Sequence, residues 1–253
     1  EGYAGFRDLV GWVEKKLMPR AAATITTTDA RAKFFARAYK IPRPLVLQNR
    51  PRFTQAPRGD TIRRELGLTE KWPIVVYQGG LQQGRGLENL VAAAAEVDNA
   101  YFVLIDGGRL AAPLEAQARE LGLSERVRFI PTVSLDALPS YTASADIGVQ
   151  PILNTCLNHL TTDSNKLFEY MMGGLAVVAS NLPEIRRIVT EHDFGVLVPP
   201  GAQDRLVEAL RRLTGDEKER ARLAANALHT ARHLNWDEQE RKLVELYRGL
   251  SAG

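Results

Sequence analysis

Short runs of apolar residues alternate with segments of helical periodicity along most of this chain. Strands that are buried on both faces form continuous apolar runs, and the chain has such runs at residues 74–78, 101–105, 127–130, 146–150, 175–180 and 195–198. The segments between and after these runs predict helices at 86–96, near 135–143, at 165–173 and at 203–213. They also predict a helix that ends at Leu121, a short helix that begins at Pro183, and a mostly helical segment at 216–250. Strands and helices that alternate in this way form βαβ units, so the pattern predicts an α/β fold with a doubly wound parallel sheet.

The chain before residue 61 is organised differently. It predicts a helix over 3–18, a strand at 23–27, a helix over 30–39 with Asp29 as N-cap, a strand at 45–47 and a linker at 49–60. This block is too short for a complete α/β domain and resembles the end of one. We therefore divide the chain into residues 1–55, a Rossmann-like domain at 56–235 and a C-terminal helix at 236–253 that packs back toward the first block.

The composition narrows the class of protein. Hydrophobic residues make up 45% and charged residues 25%, which is typical of globular chains and excludes a disordered or low-complexity one. No apolar run is long enough to span a bilayer. Cys156 is the single cysteine, which excludes a disulfide framework and a cysteine-based zinc site. Because no signal-peptide pattern is present, we expect a reducing, cytoplasmic compartment.

The charge is unevenly distributed. Residues 1–58 hold twelve Lys and Arg against four Asp and Glu, while the remainder holds 21 against 26. A basic block on a mildly acidic body predicts an anionic partner such as a phospholipid surface. The alternative is an ordinary solvated face of helical Lys and Arg.

Ligands of open parallel sheets bind beyond the carboxyl ends of the strands, so the loops at that edge are the candidate site. The first loop is Gly79-Gly80-Leu81-Gln82-Gln83-Gly84-Arg85-Gly86. Its glycines let the backbone approach an anion, the next helix directs N–H groups at it, and Arg85 offers forked donors to phosphate. It matches neither a Walker A loop nor G-x-G-x-x-G. It is either a phosphate-binding loop or a tight strand–helix turn.

A second loop leads into the helix that begins at Asn165, with Asp163 and Ser164 as candidate caps. Lys166 in the first turn opposes the helix dipole, which is unfavourable unless an anion binds nearby. Glu169 lies one turn further on the same side. The alternative is an exposed ion pair between Lys166 and Glu169.

The remaining features carry less information. Asp106 with Gly107 and Gly108 forms a turn after a strand, and Pro131, Thr132 and Val133 could offer backbone groups to a base. His159 is typical of a surface histidine. No D-x-D pair follows a strand, so no site for a divalent metal with phosphates is evident.

Two segments, YQGGLQQGRGLENLVAA (77–93) and SNKLFEYMMGGLAVVASNLPEIRRIV (164–189), closely resemble the retaining glycosyltransferases of family 4, which are two-domain enzymes of the GT-B type. Matches at LIDGG (104–108), SADIGVQP (144–151), GVLVPPG (195–201) and WDEQERKLVELY (236–247) extend the resemblance over about residues 74–250. Residues 23–51 resemble the final strand, helix and strand of the first, acceptor-side domain of such an enzyme.

The resemblance implies that residues 56–235 bind a nucleotide-diphosphate sugar, of UDP or GDP type, and that residues 1–55 belong to the acceptor-side domain. Glu169 would bind the ribose hydroxyls and act in catalysis together with Lys166. The other donor-binding residues that it implies are Gly79, Gly80 and Arg85 at the diphosphate, Thr132 and Val133 at the base, and Thr161, Ser164 and Asn165 near the phosphates or sugar. Family members often have Arg at the position of Gly80 and Glu at that of Thr161.

The function so implied is transfer of a sugar, with retained configuration, to the hydroxyl of a glycan or lipid-linked acceptor, as in cell-envelope polysaccharide synthesis. Neither a cofactor nor a metal ion nor a nucleic-acid partner is expected. The location would be cytoplasmic, with peripheral attachment to the inner membrane face. One alternative is a nucleotide-sugar-binding module or half of a split transferase, inactive without the rest of the acceptor domain. A nucleotide-sugar epimerase shares the two-domain architecture and is disfavoured by the segment around Lys166 and Glu169.

Overall fold

The protein is described from a computed structural model, which covers residues 4–162 and 164–251. The chain divides into two compact units, one made of residues 1–50 and 236–253 and the other of residues 51–235. The roles of these units as acceptor-side and donor-binding parts stay predictions.

The helices are α1 (Ala4–Leu17), α2 (Asp29–Tyr39), α3 (Thr61–Leu66), α4 (Leu87–Ala94), α5 (Ala111–Glu120), α6 (Leu138–Thr142), α7 (Leu157–Leu160), α8 (Asn165–Met172), α9 (Pro183–His192), α10 (Gln203–Gly215), α11 (Glu217–Ala231) and α12 (Trp236–Ser251). A 3-10 turn, Met18–Arg20, follows α1. The strands are β1 (Ile25–Thr26), β2 (Leu45–Val46), β3 (Ile74–Gln78), β4 (Tyr101–Ile105), β5 (Val127–Ile130), β6 (Ile147–Gln150), β7 (Ala176–Ser180) and β8 (Gly195–Val198).

The larger unit is built around a six-stranded sheet in the order β5-β4-β3-β6-β7-β8, with every neighbouring pair parallel. The strand order reverses between β3 and β6, which is where doubly wound sheets open a crevice for ligands. These two strands pair over only Val75↔Ile147 and Val76↔Gly148. The last residues of β3 and β6 therefore lie side by side without a strand ladder between them.

Both faces of this sheet are covered by helices. Val75 and Tyr77 of β3 belong to one buried cluster, together with residues of α4 and α10. Ile74 and Val76 belong to a second cluster, with residues of α8 and α11. Because side chains alternate along a strand, Gln78 shares the face that α8 covers.

Helix α8 packs closely against the sheet at Gly148. A Cβ atom added to Gly148 of β6 would lie 2.4 Å from Cγ of Tyr170, so a glycine is required where the ring packs. The Tyr170 hydroxyl accepts a hydrogen bond from the backbone N–H of Gln78 at 3.2 Å and donates one to the carbonyl of Val149 at 3.2 Å. One phenol thus connects α8 to the ends of both strands at the reversal point.

The smaller unit contains a parallel pair, β1 and β2, with the register Ile25↔Leu45 and Thr26↔Val46. Its helix α12 is joined to the segment after β2, since the backbone N–H of Gln48 donates to Oε1 of Gln239 at 3.0 Å. The prediction that Asp29 caps α2 is wrong. Thr28 is the N-cap, and its hydroxyl accepts from the N–H of Arg31, whereas Asp29 is the first residue of the helix.

The structure contains two short helices that the sequence does not predict. Helix α3 begins within one residue of the predicted linker, and α7 is a single turn inside the long loop after β6. Helix α9 has 10 residues and is therefore longer than the short helix that the sequence predicts to begin at Pro183. Over residues 4–162 and 164–251, no helix combines the length and apolar character needed to cross a membrane.

Candidate functional site

The glycine loop after β3 is held against the neighbouring strand and against Lys166. The backbone N–H of Gly79 donates to the carbonyl of Ile105 at 2.9 Å. Gly79 has a φ of 99°, and a Cβ atom there would lie 2.8 Å from Nζ of Lys166. A glycine is therefore needed at this position both for its backbone conformation and for the space that the lysine occupies.

Lys166 extends from the first turn of α8 over the Tyr77 ring, with Nζ 5.3 Å from its centroid. Burial lowers the pKa of the Lys166 ammonium, and the positive charge of Arg85 lowers it further. The carboxylates of Glu169 and Asp106 act in the opposite direction on the same pKa. A partly desolvated cation at a helix N-terminus has a strong electrostatic preference for a bound anion.

The side chains of Lys166 and Arg85 make no hydrogen bond or ion pair with the residues that the structure describes. Lys166 and Glu169 in particular do not pair with each other, so the interpretation of them as an exposed ion pair is wrong. Two cations that are close enough for one to affect the pKa of the other therefore lie near this edge of the sheet, and a carboxylate engages neither side chain directly. Both side chains are thus available to a diphosphate.

The ring of Tyr77 lies below the Lys166 ammonium group. Its ring is buried, and its hydroxyl donates to the carbonyl of Gly80 at 3.3 Å. Burial raises the pKa of Tyr77 to about 12, although the charge of Arg85 acts to lower it. The phenol therefore stays neutral at physiological pH and contributes no negative charge that would compete with an anionic ligand.

Glu169 is held by the end of β3. The Gln78 side chain donates from Nε2 to Oε2 of Glu169 at 2.7 Å, and its Oε1 accepts from the Thr142 hydroxyl at 2.7 Å. Gln78 is only 1% exposed. Sequence reasoning missed both Gln78 and Thr142, and the only signal was a polar residue that ends an otherwise apolar strand.

Asp106 organises the loop after β4. Its Oδ1 accepts from the N–H of Gly107 at 2.7 Å and from the Thr132 hydroxyl at 2.6 Å. The first bond closes a tight turn, as predicted, and Asp106 adopts a φ of 120° in it. The second bond connects this turn to the loop after β5, which fixes the orientation of the Thr132 side chain.

A cavity of about 240 Å³ lies at this edge of the sheet. Seven of the ten predicted site residues line it, namely Gly79, Thr132, Val133, Ser164, Asn165, Lys166 and Glu169. A second cavity of about 320 Å³ lies beside it and shares Leu135, Leu138, Asn165 and Glu169 as lining residues. Glu169 therefore borders both cavities, where a ligand that extends from one to the other would contact it.

Three predicted residues do not line these cavities. Arg85 is near enough to influence the pKa of Lys166, and Gly80 accepts the Tyr77 hydrogen bond. Thr161 is buried, and its hydroxyl donates to the carbonyl of Leu157 at 2.9 Å. This hydrogen bond stabilises the single turn of α7. Sequence matching alone could not show that this hydroxyl points back into α7.

Two other predictions can be compared with the structure. Ser164 precedes α8 but makes no side-chain capping bond, and Asp163 lies outside the described residues. His159 contacts the Thr155 hydroxyl through Nδ1 at 2.9 Å. Within the described part of the chain, no three His, Cys, Asp or Glu side chains gather as metal ligands would.

Comparison with known proteins gives one family. The family model of Glycosyl transferases group 1 matches residues 59–230. The chain is 28% identical to a D-inositol 3-phosphate glycosyltransferase of Corynebacterium urealyticum, over 94% of this chain and 59% of that protein. It therefore spans less than two thirds of that relative's length.

Solved structures show the same architecture. A sucrose-phosphate synthase from Thermosynechococcus elongatus superposes with a TM-score of 0.81 at 25% identity, over 97% of this chain and 62% of that one. HepE from Anabaena, solved in complex with UDP, superposes with a TM-score of 0.81 at 20% identity, over 94% and 67%. With the six-stranded parallel sheet, these matches confirm the predicted α/β fold of the GT-B type.

Proposed function

Because the chain belongs to the glycosyl transferases group 1 family, we propose that it is the donor-binding portion of a retaining glycosyltransferase of family 4. The reaction is transfer of a sugar from a nucleotide-diphosphate sugar to the hydroxyl of a glycan or lipid-linked acceptor. One observation carries the proposal: Lys166 and Glu169 border one cavity at the point where the strand order reverses.

In this proposal the donor lies across the carboxyl ends of the strands. Glu169 accepts hydrogen bonds from the ribose hydroxyls, and the loop with Thr132 and Val133 borders the base. The glycine loop and Lys166 contact the diphosphate, with the charge of Arg85 nearby. The UDP bound to HepE supports a uridine nucleotide as the first ligand to test.

The chemistry follows from these charges. When the bond between sugar and diphosphate breaks, negative charge grows on the leaving diphosphate. Lys166, Arg85 and the N–H groups at the start of α8 stabilise that charge without having to reorganise. We propose that these groups suffice without a metal ion.

Calorimetry with UDP, GDP and ADP tests the site. We expect one of them to bind, and Glu169→Ala and Arg85→Ala each to weaken its binding by about 1.5–3 kcal/mol, the cost of a lost hydrogen bond to a charged group. Arg119→Ala on the exposed face of α5 is the matched control and should leave the affinity unchanged. Unchanged affinity in both site variants would contradict the assignment.

A second candidate function is a nucleotide-sugar-binding module, or half of a split transferase, without turnover by itself. The chain covers 59% of the C. urealyticum relative. A turnover assay of this chain with several nucleotide sugars distinguishes the two candidates. Measurable sugar transfer excludes the module, whereas donor binding without transfer excludes an enzyme active as this chain alone.

We further propose peripheral attachment to the cytoplasmic face of an anionic membrane. Helix α1 exposes Phe6 (66%) and Trp12 (60%) and carries Lys15 and Lys16 in its last turn. Exposed aromatic residues together with lysines are typical of helices that lie at a membrane interface. Sedimentation with anionic and neutral vesicles tests this proposal. The wild type should sediment preferentially with anionic vesicles, and a Lys15→Glu/Lys16→Glu variant should lose that preference. Equal sedimentation with both vesicle types would refute it.

A further inference from the structure

Among the residues that the structure describes, Gln78 is the one whose side chain forms a hydrogen bond with the Glu169 carboxylate. We propose that Gln78 is a positioning residue, which holds the Glu169 carboxylate in the orientation that lets it recognise the ribose hydroxyls of the donor. The proposal rests on the proposed function, because it assumes that Glu169 binds those hydroxyls.

The position of Gln78 is fixed by the sheet. It is the last residue of β3, it is 1% exposed, and its backbone N–H is held by the Tyr170 hydroxyl at 3.2 Å. Its side chain shares the face that α8 covers, so it meets Glu169 from below the helix. A buried amide with a fixed backbone has little freedom to follow a moving carboxylate.

The direction of the amide is fixed by its two partners. An ionised carboxylate can only accept, so the NH₂ group of Gln78 must face Glu169 and the carbonyl oxygen must face Thr142. The Thr142 hydroxyl has one hydrogen, and it lies 2.7 Å from Oε1 of Gln78 and 3.0 Å from the carbonyl of Leu138. Donation to the closer oxygen completes a chain from α6 through β3 to α8.

These hydrogen bonds occupy one oxygen of the Glu169 carboxylate and leave the other oxygen for a ligand. Oε2 of Glu169 accepts from Gln78, while Oε1 accepts no hydrogen bond from the described residues. Glu169 lines the cavity, where two neighbouring hydroxyls of a ribose would donate to this oxygen. Without Gln78, the carboxylate could rotate toward Lys166, on whose pKa the charge of Glu169 already acts.

A merely structural role for Gln78 predicts a different result. A buried amide that only supports the strand would, when removed, weaken the binding of every nucleotide to the same extent. A positioning role affects the ribose hydroxyls selectively. The decisive quantity is therefore the ratio of the Kd of a 2′-deoxynucleotide to that of its ribonucleotide.

The experiment measures this ratio by calorimetry with UDP and 2′-deoxy-UDP, and in parallel with the GDP and ADP pairs. The wild type should prefer the ribonucleotide by about tenfold or more, the size expected for a hydrogen bond to a charged group. Gln78→Leu should reduce the preference to less than about threefold. It should change the Kd for the 2′-deoxynucleotide by less than about threefold.

Thr142→Val provides a second variant in case Gln78→Leu does not fold. It removes the hydroxyl that orients the amide and leaves Gln78 in contact with Glu169, so the preference should fall to an intermediate value. Gln117→Leu on α5, a Gln-to-Leu change outside the cavity residues, is the matched control and should keep the wild-type ratio.

The outcomes separate this proposal from the one it rests on. If the wild type prefers the ribonucleotide and both variants keep that preference, Gln78 does not position Glu169, and the proposed function stands. A uniform loss of both ligands shows a structural role and overturns the proposal. If the wild type has no preference, Glu169 does not bind the hydroxyls. If it binds no nucleotide, the proposed function fails and the positioning role fails with it.

Discussion

Replacing Gly79 by alanine tests whether the glycine loop leaves space for Lys166. Gly79 has a φ of 99°, and a non-glycine residue held at such a backbone conformation costs about 1–3 kcal/mol. The added Cβ atom would lie 2.8 Å from Nζ and 2.9 Å from Cε of Lys166. Because these atoms end a flexible side chain, the lysine can move away, so the backbone strain should account for most of the lost stability.

The ligand affinity should respond more strongly than the stability. A displaced Lys166 loses its contact with the diphosphate, and a hydrogen bond between charged groups contributes about 1.5–3 kcal/mol, which is about 10- to 150-fold in Kd. The matched control is Gly201→Ala. Gly201 has a φ of 78°, and its added Cβ would make only an ordinary contact at 3.8 Å with Leu153.

The assay combines urea unfolding with calorimetry on five proteins: the wild type, Gly79→Ala, Gly201→Ala, Lys166→Ala and the double variant Gly79→Ala/Lys166→Ala. We expect Gly79→Ala and Gly201→Ala to lose similar stability, and only Gly79→Ala to lose affinity. In the Lys166→Ala background, Gly79→Ala should add little further loss, because both changes act on the same contact. Additive losses of affinity in the double variant would refute the reasoning, since Gly79 would then act independently of Lys166.

Three further predictions follow from the same structure. Gly148→Ala should reduce the free energy of unfolding by about 1–3 kcal/mol or more, because its Cβ would lie 2.4 Å from the buried Tyr170 ring; in urea unfolding, a loss no larger than that of Gly215→Ala, whose Cβ meets open space, would contradict the packing. The lowered pKa of Lys166 means that the folded state binds fewer protons, so stability should rise as the pH increases from that lowered pKa toward 10.5. Lys166→Met should reduce this rise, and an identical pH profile in urea unfolding would be evidence against a desolvated ammonium. Leu135 is 84% exposed at the cavity, so Leu135→Ser should change stability by less than about 0.5 kcal/mol and weaken nucleotide binding in calorimetry; unchanged affinity would exclude Leu135 from the binding surface.

The strands of the sheet could be predicted from the sequence because strands that are buried on both faces form continuous apolar runs. The runs IVVYQ and YFVLI coincide with β3 and β4 residue for residue, since a strand covered on both faces is apolar at nearly every position. Helices α3 and α7 span 6 and 4 residues, too few for a helical period to show.

The site could be predicted in part. The loops at the carboxyl edge indicated Gly79, Lys166 and Glu169 because backbone chemistry and charge are local properties. Gln78 could not be predicted, since its partner is 91 positions away along the chain and only the packing of α8 on β6 brings the two together. The orientation of the Thr161 hydroxyl could not be predicted either, because the rotamer of a side chain depends on its surroundings in the folded protein.

The contact between Gly148 and Tyr170 constrains how this domain can evolve. A larger residue at position 148 would clash with the ring, and a smaller residue at position 170 would leave the N–H of Gln78 without its partner. Each single change is harmful, so the two positions should be inherited as a pair. In an alignment of related domains, substitutions at 148 and 170 should occur together, and lineages that lose the tyrosine should show a different residue closing the gap between the two strands.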